Sequence, residues 1–520
     1  MKTTQIFSIF RLKTIYRILP FWVVAVLCLS GCVTFNDLGY YLKLGEAMIE
    51  KGDIISHDVF THTFFGLQYV NSGWLSQVLL AMVEKGGGLE LLILLKTALL
   101  LVTMGVLYHL IFKRTKNEKV SLLFSVYAVA LGVSNWGIRP QLFVLPIFAL
   151  FYAFLCLRER ITNAAIALLS LSMVLWVNLH SSFPLGLLLV GTFLLGEAVQ
   201  KYRGNGRIRD LVADPSLRRL LFLLMSLTLV TLINPYGLDV WKDVWANSSI
   251  SQARSAEWQR TTMNGFLGYG FAVSIVITIL MLAFGRRRVT LIEVILLLFF
   301  LLAGFKTVRM VLWWGMVSAP ILAAQFCSLE PVAARLSRQA PRSENECLPV
   351  NILFLVVMVV AVISFLPWLR PYHPIAHARN LVDPQTEPVQ IADYIEREGL
   401  KGKMYNDPNW GSYLIWRLWP KYQVFADNRI HLIPEDIWGD VSDVHYGLGN
   451  WDKVLDKYDV SWLVLSKVDN RRTIEFIRDH PKWKNVYEDE VGAIFVRSTA
   501  KASEFHPSSE GLPASGSLLP

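Results

Sequence analysis

Charge is scarce in this chain. Only 18% of its 520 residues are Asp, Glu, Lys or Arg, while 53% are hydrophobic. A soluble globular chain carries roughly a quarter charged residues, so the composition excludes an ordinary soluble enzyme. Cysteine is scarce as well. Cys28, Cys32, Cys156, Cys327 and Cys347 are scattered, and none falls beyond residue 368, which excludes a disulfide framework or zinc-ligand spacing in the C-terminal region. No glycine-rich phosphate fingerprint and no repeat of fixed period is present. The net charge of +9 would suit nucleic acid, yet the basic residues gather in short loops between apolar runs. That is the pattern of the positive-inside rule, and no nucleic-acid partner is expected.

What the chain has in abundance is long apolar runs. Residues 89–112, 266–284 and 348–366 are each long enough to cross a hydrocarbon core of roughly 30 Å as a helix. Apolar runs and basic flanks together predict about eleven spans: 18–35, 89–112, 120–136, 141–157, 164–179, 183–199, 220–233, 266–284, 290–304, 310–326 and 348–367. Lys2, Arg11, Lys13 and Arg17 start the chain in the cytoplasm. The clusters Lys113-Arg114, Arg158-Glu159-Arg160, Arg203 to Arg219, Arg286-Arg287-Arg288 and Arg335 to Arg342 then all return to that side. Leu29-Ser30-Gly31-Cys32 resembles a lipoprotein signal. A lipid anchor adds little to a chain with many further spans, so the segment is read as the end of the first one.

Three regions follow. A transmembrane domain covers 1–367, with a long first outer loop at 36–75. An extracytoplasmic domain covers 368–497, where short helical and strand patterns alternate. A Ser/Pro/Gly-rich tail, 498–520, is expected to be disordered. In the second region, helices are predicted at 388–398, 410–418, 451–458 and 472–479, and buried strands at 402–405, 423–426 and 462–465. A closing hairpin pairs 486–488 with 493–496. Such alternation favours a small α/β domain with a largely parallel sheet.

The distinctive polar residues fall where the spans emerge on the opposite side from the basic clusters. Asp37 stands just outside the first span, where a carboxylate can act as a general base or ligate a divalent metal ion. It can equally cap the helix predicted to begin near Leu38. His57, Asp58 and His62 share its loop, although Asp53 and Asp58 also suit turns beside Gly52. Arg139, Lys306 and Arg309 are cations on the side where basic residues are disfavoured. An isolated one snorkels to the interface, whereas three suit an anionic phosphate. His180, after Asn178, can contact substrate or bond the ends of neighbouring helices. Asn234-Pro235-Tyr236-Gly237 reads as a helix stop and turn. Glu257 is a second candidate carboxylate. In the C-terminal region, Asp427 and Arg429 follow a predicted strand, at the end where open α/β sheets bind ligands.

Taken together, these motifs resemble the GT-C class of integral-membrane glycosyltransferases, and in particular bacterial relatives of the dolichyl-phosphate-mannose protein mannosyltransferase family. The residues that carry the resemblance are Asp37, Tyr40-Tyr41, Gly45-Glu46, Gly52-Asp53-Ile54, Asp58-Val59-Phe60-Thr61 and Trp74-Leu75-Ser76-Gln77. Arg139-Pro140-Gln141, Trp176 to His180, Asn234 to Gly237, Lys306 to Arg309 and Asp427-Asn428-Arg429 fit the same set. The resemblance implies a polyprenyl-phosphate-linked sugar as donor and an acidic residue of the first outer loop at the reaction centre, which maps onto Asp37. Many relatives carry two adjacent acids there, and this chain has Asn36-Asp37.

The expectation is therefore a polytopic α-helical membrane protein, GT-C-like, that moves a sugar to an extracytoplasmic acceptor. Asp37 is the catalytic candidate. Arg139, His180, Lys306, Arg309, Asp58 and Glu257 are the substrate-binding candidates, and a divalent metal ion is a possible cofactor. The alternative is a transporter or flippase for lipid-linked saccharides. That reading requires broken mid-span helices and ionisable residues near the bilayer centre, for which Lys96 and His109 are the main candidates.

Overall fold

A computed structural model describes residues 11–205, 208–337, 347–373 and 380–498. The tail expected to be disordered lies outside these residues apart from Ser498, as do Arg207, Arg338 and Arg342 of the basic loops. The chain divides into two compact units. One comprises Met1–Thr34, Tyr41–Ser56 and Gln68–Asp383, and the other Phe35–Tyr40, His57–Leu67 and the chain from Pro384 onward. The first outer loop, expected to belong wholly to the membrane domain, is thus shared between the units.

In the first unit, every span expected from the sequence falls on a helix: α1 (Leu12–Ser30), then, after α2 (Leu38–Lys51), α3 (Trp74–Thr115), α4 (Glu118–Gly132), α5 (Gln141–Leu157), α6 (Asn163–Leu179), α7 (Pro184–Asn205) and α8 (Pro215–Val230). After α9 (Asp239–Arg254) come α10 (Gly265–Phe284), α11 (Leu291–Lys306), α12 (Val311–Ser328) and α13 (Leu348–Ser364). Among the described residues, five stretches are long and apolar enough to cross a membrane: α1, α3, Pro184–Gly204 of α7, α10, and Val308–Ser328, which includes α12. Helices α5, α6 and α13 are shorter and apolar. Large apolar side chains stand exposed along them, among them Phe266 and Ile279 on α10 and Leu353 and Val359 on α13. In water such surfaces would drive aggregation; in lipid they cost nothing. This is a multi-pass membrane protein.

The two ends of the helix array differ in chemistry. At one end, capping residues begin the helices. Asn117 accepts from Val120 N at 3.1 Å, Thr162 from Ala165 N at 3.2 Å and Asp214 from Leu217 N at 3.0 Å, while Thr290 and Glu293 form a capping box on α11. The buried Glu293 also binds Arg114 at 3.1 Å and Arg287 at 2.9 Å, which ties the end of α3 to the start of α11. The polar motifs gather at the other end. Helix α3 is broken at Gly87 and Gly88, where the apolar run begins rather than mid-span. Gly88 has φ 65° and ψ −163°, a region essentially reserved for glycine.

The second unit contains α14 (Val389–Glu398), β1 (Lys403–Asn406), α15 (Pro408–Leu418), α16 (Glu435–His445), α17 (Trp451–Lys457), β2 (Val460–Ser466), α18 (Arg471–Arg478), β3 (Trp483–Glu488) and β4 (Gly492–Arg497). The sheet order is β1-β2-β4-β3. Only β1 and β2 run parallel, and both pairs made by β4 are antiparallel. The sheet is mixed rather than largely parallel, because the closing hairpin supplies half of it. Residues 423–426, expected as a strand of this sheet, form an isolated bridge through Val424 to Thr61 of the first outer loop. Phe64 of that loop enters the core with Tyr405, Phe425, Leu463 and Phe495.

Candidate functional site

Within the membrane unit, three of the candidates come together. Helix α5 follows Arg139-Pro140, the loop after α9 presents Glu257, and a short turn between α11 and α12 presents Arg309. Arg139 Nη1 and Nη2 donate to the two Glu257 carboxylate oxygens at 2.6 and 2.8 Å, a bidentate fork. Arg309 Nε lies 3.4 Å from Glu257 Oε2, and its guanidinium stands 5.4 Å over the Trp258 ring. The loop carrying Glu257 is stitched to the end of α11, since Thr307 Oγ1 donates to the Glu257 carbonyl at 3.0 Å and Thr261 N to the Phe305 carbonyl at 3.2 Å. Burial raises the Glu257 pKa, but the Arg139 hydrogen bonds and the charges of Arg139 and Arg309 prevail and hold it below the usual carboxylate range. Two guanidinium groups thus face one carboxylate, and the cluster keeps a net positive charge.

His180 directly follows α6. Its Nδ1 accepts from Ser182 N at 3.0 Å and lies 2.9 Å from Ser182 Oγ, which places the neutral imidazole proton on Nε2. Lys306 ends α11 exposed and makes no ion pair among the described residues. The neighbouring motifs hold the helix ends together. Trp74 Nε1 donates to Asn178 Oδ1 at 2.9 Å, and Asn178 Nδ2 donates to the Ile233 carbonyl at 2.9 Å. Asn71 and Gln77 exchange side-chain hydrogen bonds at 2.8 and 2.7 Å. Asn234 accepts from Tyr236 N at 2.7 Å in an Asx turn, in keeping with the helix stop read from the sequence.

The remaining two candidates lie in the second unit. Asp37 occupies a turn, half-buried, directly before α2. The N–H groups of Gly39 and Tyr40, which an N-cap side chain ordinarily receives, go to Ser412 Oγ on α15 at 2.9 and 3.3 Å. Asp58 differs from its expected part in substrate binding. It is completely buried, with Oδ2 accepting from Thr61 N at 3.0 Å and Thr61 Oγ1 at 2.7 Å, and Oδ1 receiving Arg429. Enclosed in this way, it holds the loop rather than a ligand. Arg429 also binds Asp427 at 2.6 Å, and its guanidinium lies 5.4 Å from the Tyr40 ring and 5.1 Å from the Phe60 ring. The motif 427–429 is thus an internal clamp. Ser412 falls within the polar stretch 405–414 and Trp258 directly follows Glu257, but neither carries a local signal of its own contact.

A second polar cluster sits at the carboxyl ends of β1 and β2. Asp407 Oδ1 accepts from Asn409 N at 2.8 Å, capping α15. Its Oδ2 is buried without a hydrogen-bond partner among the described residues, 3.9 Å from His445 Nδ1. Burial, then the nearby charge of Asp469, pushes this carboxyl up to about 7. Among the described residues, no three His, Cys, Asp or Glu side chains gather in a way that could hold a metal ion.

No family model matches this chain, and no curated protein matches it. Among solved structures, it is similar to ArnT from Cupriavidus metallidurans bound to undecaprenyl phosphate. That likeness has 12% identity, covers 94% of this chain and 98% of that one, and has a TM-score of 0.46. The apo state of ArnT from the same organism gives 13% identity, 91% and 95% coverage, and a TM-score of 0.45. At that level of likeness, the chemistry has to be argued from the residues.

Proposed function

We propose that this protein is a membrane glycosyltransferase that moves a sugar from a polyprenyl-phosphate donor to an acceptor hydroxyl on the extracytoplasmic side. The observation that carries this reading is the Arg139–Glu257–Arg309 cluster at the end of the helix array that bears the polar motifs. A carboxylate already sits in the fork of one arginine and beside a second. A lipid phosphate offers acceptor oxygens to the same fork, and its charge grows as the sugar leaves. The donor is already activated by its lipid phosphate, so no nucleotide-binding motif is needed.

In this reading, Asp37 is the general base that takes the acceptor proton. The acceptor oxygen forms a bond to the anomeric carbon as the bond from that carbon to the phosphate oxygen breaks. The electron pair leaves with the phosphate, whose growing charge Arg139 and Arg309 stabilise. Glu257 keeps the two guanidinium groups oriented while no phosphate is bound. The polar helix ends around His180 and Lys306 supply further contacts to the donor head group. The site faces the exterior of a bacterial inner membrane, and the N-terminus is cytoplasmic.

A transporter of lipid-linked saccharides is the second reading, and Lys96 is the observation in its favour, because it lies buried within α3. Reconstitution with labelled polyprenyl-phosphate sugars separates the two. Covalent transfer that depends on Arg139 supports the transferase. Movement of the lipid-linked sugar with no new glycosidic bond overturns it.

A further inference from the structure

The second unit grips the chain on both sides of Asp37. Two residues upstream, Phe35 N donates to Glu387 Oε1 at 2.8 Å, and the Phe35 ring packs 4.6 Å from Trp416 and 5.1 Å from Tyr413. Downstream, Ser412 Oγ receives Gly39 N and Tyr40 N. The approach there is backbone to backbone, since a Cβ at position 39 would stand 1.8 Å from the Ser412 carbonyl oxygen. The Tyr40 ring lies against Arg429, which Asp427 and Asp58 fix between them. Phe60, on the second strip of the loop, lies against the same guanidinium. That second strip is itself anchored, with His62 N donating to the Val424 carbonyl at 3.1 Å and Val424 N to the Phe60 carbonyl at 3.0 Å.

We infer that Ser412 and Arg429 are positioning residues for Asp37: through the first turn of α2 and the Tyr40 ring, the α/β unit sets where that carboxylate stands. This rests on the transferase reading above and deepens it. Helix caps of this kind usually come from the residue just before the helix. An acceptor from α15 fixes the helix start, and with it the Asp37 backbone, to a second helix of the same unit. A misplacement near 1 Å costs up to about a hundredfold in rate, so the grip matters to chemistry more than to folding. Arg429 cannot simply be deleted, because that would strand two buried carboxylates. Ser412 is therefore the cleaner test.

The experiment uses the full chain in proteoliposomes with a polyprenyl-phosphate sugar, comparing the unmodified protein, Ser412→Ala and Gly39→Ala. Hydrogen exchange is followed in parallel at residues 38–41 and across β1 to β4. Both variants should lose about tenfold or more in kcat with donor KM within twofold. Exchange should quicken at 38–41 alone. Unchanged kcat in Ser412→Ala would overturn the inference and leave the transferase reading standing. So would a loss that merely tracks faster exchange throughout β1 to β4, which would make Ser412 a folding residue. An unmodified protein that transfers no sugar would instead overturn the function, and the positioning role with it.

Discussion

Glu257 lies between Arg139 and Arg309, at 2.6 to 3.4 Å from their nitrogens, and in the proposed reading it holds the place of the donor phosphate. Glu257→Gln removes the competing charge, so inhibition of transfer by a free polyprenyl phosphate should strengthen several-fold; weaker inhibition would contradict the exchange of carboxylate for phosphate. Arg139→Lys loses the bidentate fork and should raise donor KM by about tenfold, which initial-rate kinetics would show. At Asp407 the prediction concerns stability. Its folded-state pKa is raised from 3.8 to about 7 by burial and by Asp469. The stability it contributes is therefore present in full below about pH 4 and is lost as pH rises through about 7. Asp407→Asn keeps the cap but has no proton to lose. Thermal unfolding of this variant should be flatter between pH 5 and 8, and its Tm at pH 8 should exceed that of the unmodified protein.

Periodicity is what made the elements readable. Apolar runs bounded by arginines fixed where α3 to α8 and α10 to α13 would lie, because lipid demands uninterrupted hydrogen-bonded helices. Strands β1 and β2 and the β3–β4 hairpin were equally plain, as short apolar alternations bounded by turn residues. Residues 423–426 read as one more strand because they are apolar and buried, but their bridging partner is Thr61, more than three hundred residues earlier. Pairing across such separations leaves no local trace. Helix α16 is a different case, since Ile437, Val441 and Val444 recur at helical spacing and the element was legible but not read. The glycine run Gly86-Gly87-Gly88 ahead of the apolar stretch is a further case, with the break in α3 falling at Gly87 and Gly88. Gly88→Ala should cost about 1–3 kcal/mol, measurable as a lower Tm of the full chain in nanodiscs.

At the scale of the molecule, the sequence marked single residues but not their partners. Arg139, Glu257 and Arg309 were each picked out from the side of the membrane on which they fall. That they form one cluster required the helices to be in place. Asp58 and Arg429 were picked out as candidates for binding, and proved to be each other's partners inside the α/β unit. A buried ion pair and a ligand site use the same residue types, so composition cannot separate them. The first outer loop was expected to belong to the membrane domain, and residues 35–40 and 57–67 fold instead with the C-terminal unit. The account stands or falls on Asp37. The direct test is transfer of labelled sugar from a polyprenyl phosphate by the purified protein in liposomes, comparing Asp37→Asn with the unmodified chain. The account predicts a fall in kcat of at least about a hundredfold, with donor binding retained. Undiminished transfer by Asp37→Asn would contradict it.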